Sequence, residues 1–66
     1  MAKQLQIPEP VDYSIYGYTP NGREIREAEV DGKLRYWVQP HDDNYWMCLR
    51  TAKQALAAYY HPERYR

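Results

Sequence analysis

The sequence predicts an α+β fold in which a small antiparallel β-sheet of about four strands, arranged as a meander, carries one C-terminal α-helix on one face. Between residues 13 and 49, short segments rich in tyrosine and β-branched residues alternate with turn sequences. Two of these turns contain Asn-Gly and Asp-Gly dipeptides, which are strong signals for β-hairpins. The last quarter of the chain changes to helical spacing, so a helix should follow the strands.

Four segments have the composition and alternation of strands, and a turn sequence separates each one from the next. The segment "KLRYWVQ" is the most regular, because Leu34, Tyr36 and Val38 recur at every second position. The intervening turn sequences are "TPNG", "DG" and "PHDD". We therefore expect strands near residues 13 to 18, 23 to 30, 33 to 39 and 44 to 49.

The residues after the fourth strand carry a helix start signal and a helix stop signal. Thr51 is followed three residues later by Gln54, which is a capping-box pattern, within a run of strong helix formers. Pro62 cannot continue a helix, so the predicted helix runs near residues 51 to 61. Its predicted apolar face comprises Ala52, Ala55, Leu56 and Tyr59.

A chain of 66 residues is long enough for one domain with one small core. Pro8 and Pro10 indicate that residues 1 to 12 form an extended N-terminal arm. We expect residues 13 to 61 to form a single β-β-β-β-α domain and residues 62 to 66 to form a basic C-terminal tail. With eight tyrosines and no phenylalanine, tyrosine must supply part of the core.

The length of the "PHDD" turn decides which aromatic side chains share a face of the sheet. A four-residue loop pairs Trp37 with Trp46 and directs Tyr36 and Tyr45 to the opposite face. The face of the two tyrosines is then apolar and is the one that the helix covers. The two tryptophans are predicted to meet on the other face.

The lengths of the two remaining turns decide which side chains of the second strand lie on each face of the sheet. A two-residue loop at "DG" would bring Glu27 and Glu29 under the helix, where burial of a carboxylate is costly. A three-residue loop with a glycine bulge sets both carboxylates beside basic residues of the next strand, so this loop is expected. A four-residue "TPNG" loop then sets Tyr16 opposite Ile25, on the face of the tryptophans.

The face that the helix leaves open should present an aromatic patch with a charged fringe made of Arg23, Glu27, Glu29, Lys33 and Arg35. Large apolar patches on soluble domains mark interaction sites, and Tyr, Trp and Arg are enriched at binding hot spots. The predicted partner-binding residues are Tyr16, Tyr18, Ile25, Trp37, Trp46, Arg23, Arg35 and Lys33. Two alternatives remain open: the N-terminal arm folds across this patch as a second small core, or a symmetric dimer buries it.

We predict a small non-enzymatic binding protein that docks this face on a macromolecular partner, a protein in preference to a nucleic acid. Nine basic and nine acidic residues cancel, which argues against a binding mode that depends on neutralising phosphates. A single-stranded nucleic acid stacked on the tryptophans is the alternative partner. The histidines and aspartates of the chain lack the spacing of closed metal sites, and no catalytic constellation is present, so no cofactor or metal is expected.

The composition also predicts where such a protein acts. A single cysteine, Cys48, excludes an internal disulfide and favours a reducing compartment. The N-terminal residues have no signal-peptide pattern, and no segment approaches the roughly 20 apolar residues of a membrane span. We therefore expect a cytoplasmic protein without membrane contact. Small neutral domains of this style are common among accessory proteins of phages and mobile elements, which suggests an inhibitor or modulator of a host enzyme or defence system in the host cytoplasm.

Overall fold

A computed structural model describes residues 3 to 66 of the chain. Four antiparallel strands lie side by side in chain order, and one α-helix packs on the third and fourth strands. The predicted α+β fold is therefore confirmed. In the described residues no helix is long and apolar enough to cross a membrane. The elements are β1 (Ser14–Tyr18), β2 (Glu24–Val30), β3 (Lys33–Val38), β4 (Met47–Leu49), α1 (Ala52–Tyr60) and a 3-10 turn (Pro62–Arg64).

The first three strands and the helix begin and end within one residue of their predicted bounds. The fourth strand is shorter than predicted, because residues 44 to 46 form an irregular segment that does not pair with β3. The side chain of Trp46 in this segment lies over the guanidinium of Arg26, at 4.3 Å from the ring centre. Residues 44 to 46 are thus held by side-chain contacts rather than by the sheet ladder.

The turn between β2 and β3 is a two-residue turn, and the predicted three-residue loop with a glycine bulge is wrong. Asp31 and Gly32 both have positive φ angles, 53° and 79°, as a type I′ turn requires. This turn matches the right-handed twist of the strands, and it sets Glu27 opposite Tyr36. The carboxylate is not forced under the helix, because α1 packs on β3 and β4 and leaves this part of the sheet uncovered.

The same turn moves the side chains of β2 to the faces opposite to those predicted. Arg26, instead of Ile25, pairs with Trp37, so Ile25 lies on the helix-covered side. Ile25 is buried there in the main core. The prediction that Ile25 shares an open face with Trp37 is therefore wrong, and its cause is the one-residue difference in the turn.

The pairing of β3 with β4 differs from the predicted pairing by two residues. Trp37 lies opposite Cys48 and not opposite Trp46, because the connection spans residues 39 to 46 rather than four residues. A shift of two residues leaves every side chain on its predicted face, since the side-chain period of a strand is two. Val38, Met47 and Leu49 accordingly lie under the helix, as predicted, and are fully buried.

The helix begins as the sequence indicates. The Thr51 side chain caps it by accepting a hydrogen bond from the backbone N–H of Gln54 at 3.1 Å. Ala55, Ala58 and Tyr59 form the buried face of α1. Leu56, which was predicted on that face, remains largely exposed at the flank of the helix.

The N-terminal arm covers part of the opposite side of the sheet, near Trp37 and β4, and we call this side the arm side. Ile15 of β1 lies on the same side and remains 46% exposed. The backbone N–H of Leu5 donates to the carbonyl of Cys48 at 2.7 Å, so the arm extends the sheet by one bridge. The indole N–H of Trp37 donates to the carbonyl of Ile7 at 3.1 Å, and Trp37 is 0% exposed. A buried tryptophan needs such a partner for its N–H. Trp37 is therefore a core residue under the arm, which was the first alternative left open by the sequence.

The C-terminal residues are also packed against the domain. Pro62 is buried, and Tyr65 contacts the main core. The carbonyl of Tyr65 accepts a hydrogen bond from the backbone N–H of Gln4 at 2.7 Å. Both ends of the described chain therefore meet beside β4.

Truncation of the buried indole should destabilise the protein severely. We expect Trp37→Ala to lower the free energy of unfolding by about 3 to 5 kcal/mol, because it leaves a cavity under the arm and removes the anchor of Ile7. Urea unfolding followed by circular dichroism measures this. The matched variant Trp46→Ala removes a half-buried ring and should cost less than half as much. Equal losses in the two variants would contradict the assignment of Trp37 as the centre of the second core.

Candidate interaction surface

The helix covers only part of its side of the sheet. It packs on β3 and β4 toward the Val38 end of β3, and leaves aromatic and aliphatic side chains of β1 and of the beginning of β3 in contact with solvent. Tyr16 is 55% exposed, Leu34 is 52% exposed and Leu56 is 44% exposed. We call this region the uncovered sheet face, and it comprises Tyr16, Glu27, Glu29, Leu34, Tyr36 and Leu56.

A β-bulge in β1 directs Tyr16 onto this face. The register of β1 against β2 shifts between Ile15 and Gly17, so Gly17 lies opposite Ile25 and Tyr16 is the extra residue. The ring of Tyr16 then meets the ring of Tyr36 edge to face, with centroids 5.4 Å apart and an interplanar angle of 83°. Such pairs are favourable, and this one links the edge strand to the centre of the sheet.

A groove of about 340 Å³ lies between β1 and the helix, at one end of the uncovered sheet face. The buried side chain of Ile25 contributes to its lining, and Leu56 contributes the helix flank. The lining residues are Tyr16, Gly17, Tyr18 and Ile25 from the strands, and Ala52, Lys53 and Leu56 from the helix. The groove is therefore apolar along most of its wall and carries one formal charge, on Lys53.

Two carboxylates lie among the aromatic side chains. Glu27 pairs with Tyr36, and Glu29 pairs with Leu34 across the β2 and β3 strands. A hydrogen bond to Glu27, together with burial, raises the pKa of the Tyr36 hydroxyl. In residues 3 to 66 neither Glu27 nor Glu29 forms an ion pair. The uncovered sheet face is consequently aromatic and acidic.

The structure distributes the predicted aromatic patch over two faces and does not bring it together. Tyr16 lies on the uncovered sheet face, whereas Ile25 beneath it is buried. Tyr18 pairs with Glu24, and this register places the Tyr18 side chain on the arm side. Tyr18 nevertheless contributes to the lining of the groove. Trp37 is buried and Trp46 is half-buried. A single open patch containing all five of these residues is therefore a wrong prediction, because the register of β2 and the bulge of β1 separate them.

The basic residues of the predicted fringe also lie away from the uncovered sheet face. Lys33 and Arg35 alternate with the residues of that face, so they lie on the arm side with Trp37. The Arg35 side chain donates a long hydrogen bond, 3.5 Å, to the carbonyl of Leu34. The guanidinium of Arg23 donates to the carbonyl of Asp43 at 2.6 Å and so ties the first turn to the β3–β4 connection.

Arg26 is the central polar residue of the arm side. Its guanidinium lies 4.2 Å from the ring centre of Tyr13 and 4.3 Å from that of Trp46. It also forms ion pairs with Glu9 at 2.8 Å and with Glu24 at 3.0 Å. A guanidinium is suited to this combination of stacking and carboxylate pairing. Arg26 thereby joins the arm, the start of β1 and the β3–β4 connection. Trp46 contacts this guanidinium within the fold, so its position is accounted for without a binding partner.

The residues of the uncovered sheet face were assigned to the core in the sequence prediction, apart from Tyr16 and the two glutamates. The length of the predicted helix was the sequence signal that some of these residues would stay exposed. Nine residues form a helix of roughly 14 Å, whereas four strands span roughly 14 Å in width and β2 alone is roughly 23 Å long. A helix of this size covers about half of such a sheet, so part of the helix side had to remain open.

The groups with potential for metal or thiol chemistry lie elsewhere. Among residues 3 to 66, no three His, Cys, Asp or Glu side chains are placed to hold a metal ion. Cys48 is 1% exposed and lies in β4 beneath the arm. Burial raises the pKa of the Cys48 thiol to about 11, although Arg35 and Arg50 act in the opposite direction. Its position makes it a structural residue of the second core.

Comparison of the chain with models of protein families, with curated proteins and with solved structures gave no match. A function for this chain is therefore inferred from its exposed surface.

The buried thiol should make the stability of the protein depend on pH in the alkaline range. The folded state holds the Cys48 proton up to about pH 11, whereas an unfolded thiol releases it near pH 8.5. The free energy of unfolding should therefore be unaffected by this group below about pH 8 and should fall as the pH rises toward 11. Urea unfolding of the wild type and of Cys48→Ala, measured at pH 7 to 11, tests this. The decline should be shallower in the variant, and parallel curves would contradict the effect.

Proposed function

We propose that the protein is a small non-enzymatic binding protein that docks its uncovered sheet face on another protein and inhibits or modulates that partner. The observation that carries the proposal is the exposure of Tyr16, Leu34 and Leu56 on the side of the sheet that the helix only partly covers. Exposed apolar side chains clustered on one face are a feature of interaction sites. Tyrosine in such a surface supports the proposal further, because it is enriched at binding hot spots.

The charges of the surface favour a protein over a nucleic acid. Glu27 and Glu29 lie among the exposed aromatic side chains and would repel a phosphate backbone. The tryptophans, which were the proposed base-stacking platform, are occupied: Trp37 is buried under the arm and Trp46 stacks on Arg26. The alternative of a single-stranded nucleic-acid regulator thus has no exposed tryptophan platform to support it.

A homodimer through the same face is also less favourable than a different protein partner. A two-fold symmetric interface brings the same patch of both copies together. Glu27 and Glu29 of one copy would then approach the matching patch of the other copy, and within residues 3 to 66 no ion pair neutralises these carboxylates. A partner with basic side chains avoids this repulsion.

The class of partner to test first follows from the style of the chain. Its small size, zero net charge and single cysteine are common in accessory proteins of phages and mobile elements. We therefore extend the proposal to an inhibitor or modulator of a host enzyme or defence protein, acting in the host cytoplasm.

Truncation at the uncovered sheet face should remove binding and preserve the fold. We expect Leu34→Ala to weaken the affinity for the protein partner at least about 30-fold, which corresponds to a hot-spot loss of about 2 kcal/mol. The unfolding free energy should change by less than about 1 kcal/mol, because Leu34 is half exposed. The partner is obtained by affinity capture from the host and identified by mass spectrometry, and binding of the purified pair is measured by calorimetry.

The matched control is Lys33→Ala, one residue earlier in the same strand and on the arm side. It should leave the affinity unchanged. If both variants bind as the wild type does, the uncovered sheet face is not the binding surface. Salt-sensitive binding to single-stranded RNA or DNA would instead favour the nucleic-acid alternative, and a concentration-dependent dimer in sedimentation that Leu34→Ala abolishes would favour the dimer.

A further inference from the structure

The groove between β1 and the helix carries a further inference, which rests on the proposed function. We infer that it receives one large apolar side chain of the partner, presented on a segment that also carries a basic residue for Glu27 and Glu29. Three features support this: an unexplained glycine, the size and lining of the groove, and the placement of unpaired charges.

Gly17 is the first feature, because neither the backbone nor the packing of the protein requires a glycine there. Its φ angle is not positive, in contrast to those of Gly22 and Gly32. A Cβ atom built at Gly17 would meet nothing within 4 Å. Glycine in a strand weakens it, and it often marks either a bulge or a site where a ligand or another chain approaches closely. Gly17 directly follows the bulge at Tyr16, but its φ angle is one that other residues also adopt, so the bulge does not require a glycine there. The missing side chain of Gly17 leaves the groove open beside Ile25, with which it pairs.

The size and lining of the groove suit one side chain. A volume of about 340 Å³ is at the lower end of the range for ligand pockets, which begins near 300 Å³. Ile25, Leu56 and the ring of Tyr16 offer apolar contact on three sides. Anchors of this type, a large side chain of the partner in a pocket surrounded by a rim, dominate many protein interfaces.

The positions of the charged residues indicate that the partner segment lies along β2. Glu27 and Glu29 follow Ile25 by two and four residues along β2, and side chains two residues apart on one face are separated by roughly 7 Å. An extended segment whose anchor lies over Ile25 would therefore bring its side chains two and four residues away over the two carboxylates. Lys53 lines the helix side of the groove and disfavours a basic residue there. A lysine or arginine two or four residues from the anchor is the complementary pattern.

The edge of β1 is a less suitable place for the same segment. An extended peptide can add to an exposed sheet edge through backbone hydrogen bonds. The bulge at Tyr16 interrupts that edge in the middle of a five-residue strand, and bulges are a device that prevents such pairing. Docking on the face is therefore the mode that the geometry favours.

A peptide selection tests the inference before the natural partner is identified. Random 12-residue peptides displayed on a carrier are selected on the wild-type protein, and the enriched peptides are synthesised and titrated by fluorescence polarisation. We expect them to share one large apolar residue with a lysine or arginine two or four positions away. Gly17→Val should weaken their binding at least about tenfold, because the valine side chain occupies the part of the groove beside Ile25 that the anchor would contact. Gly17→Ala, which adds one methyl group, should have an intermediate effect.

The fold should survive these substitutions, so a loss of binding can be assigned to the groove. The Cβ of the introduced valine would have open space, and valine is favoured in strands, so the urea midpoint of Gly17→Val should equal or exceed that of the wild type. The double variant Glu27→Gln with Glu29→Gln should weaken the basic peptides about three- to tenfold. Lys53→Gln is the matched charge control and should not weaken them.

Two results overturn the inference and leave the proposed function intact. One is that Gly17→Val binds the selected peptides as well as the wild type does. The other is that the selected peptides share no apolar anchor. In both cases the proposed function stands if Leu34→Ala still weakens binding of the natural partner. A selection that enriches no peptide for the wild type over Gly17→Val also rejects the groove as an anchor site. If neither Gly17→Val nor Leu34→Ala affects the natural partner, the proposed function fails together with the inference.

Discussion

The two-residue turn at Asp31 and Gly32 fixes the register of the two central strands of the sheet. Both residues adopt positive φ angles, and the resulting type I′ geometry sets the register of β2 against β3. Because the side-chain period of a strand is two, this register decides the face of every residue in β2. It sends Ile25 to the helix side and Arg26 to the arm side, and so it decides which residue of β2 enters the main core and which lies beside Trp37.

The protein buries its sheet with two unequal covers. A nine-residue helix packs on one side, and the extended arm packs on the other, where Trp37 donates to the carbonyl of Ile7. Arg26 adds ion pairs and two aromatic contacts to the arm side. The helix is too short to reach the far part of the sheet, so an aromatic and acidic area remains open on the helix side. The proposed binding function arises from this mismatch of areas.

Several features of the uncovered sheet face contribute no ion pair or close packing to the fold, although Glu27 accepts the hydrogen bond of the Tyr36 hydroxyl. Gly17 is neither conformationally required nor packed, and Glu27 and Glu29 have no ionic partner in residues 3 to 66. Elsewhere in the described chain the carboxylates of Glu9, Glu24 and Asp42 are each within ion-pair distance of an arginine. Gly17 lines the groove, and the two carboxylates lie beyond it along β2, where the proposed partner segment would pair with them.

Local chemistry along the chain was enough to predict the α+β class, the bounds of the first three strands and the bounds of the helix with its Thr51 cap. These features depend on alternation, on turn dipeptides and on the hydrogen bond between a cap and the next turn. The same local signals did not reveal which face held Ile25, where β4 begins, or that Trp37 lies under the arm. Those outcomes depend on the register between strands and on which element covers which side. A difference of one residue in the length of the turn at Asp31 and Gly32 moves every side chain of β2 to the other face of the sheet. The composition of the open surface is therefore decided only by how the strands, the helix and the arm pack together.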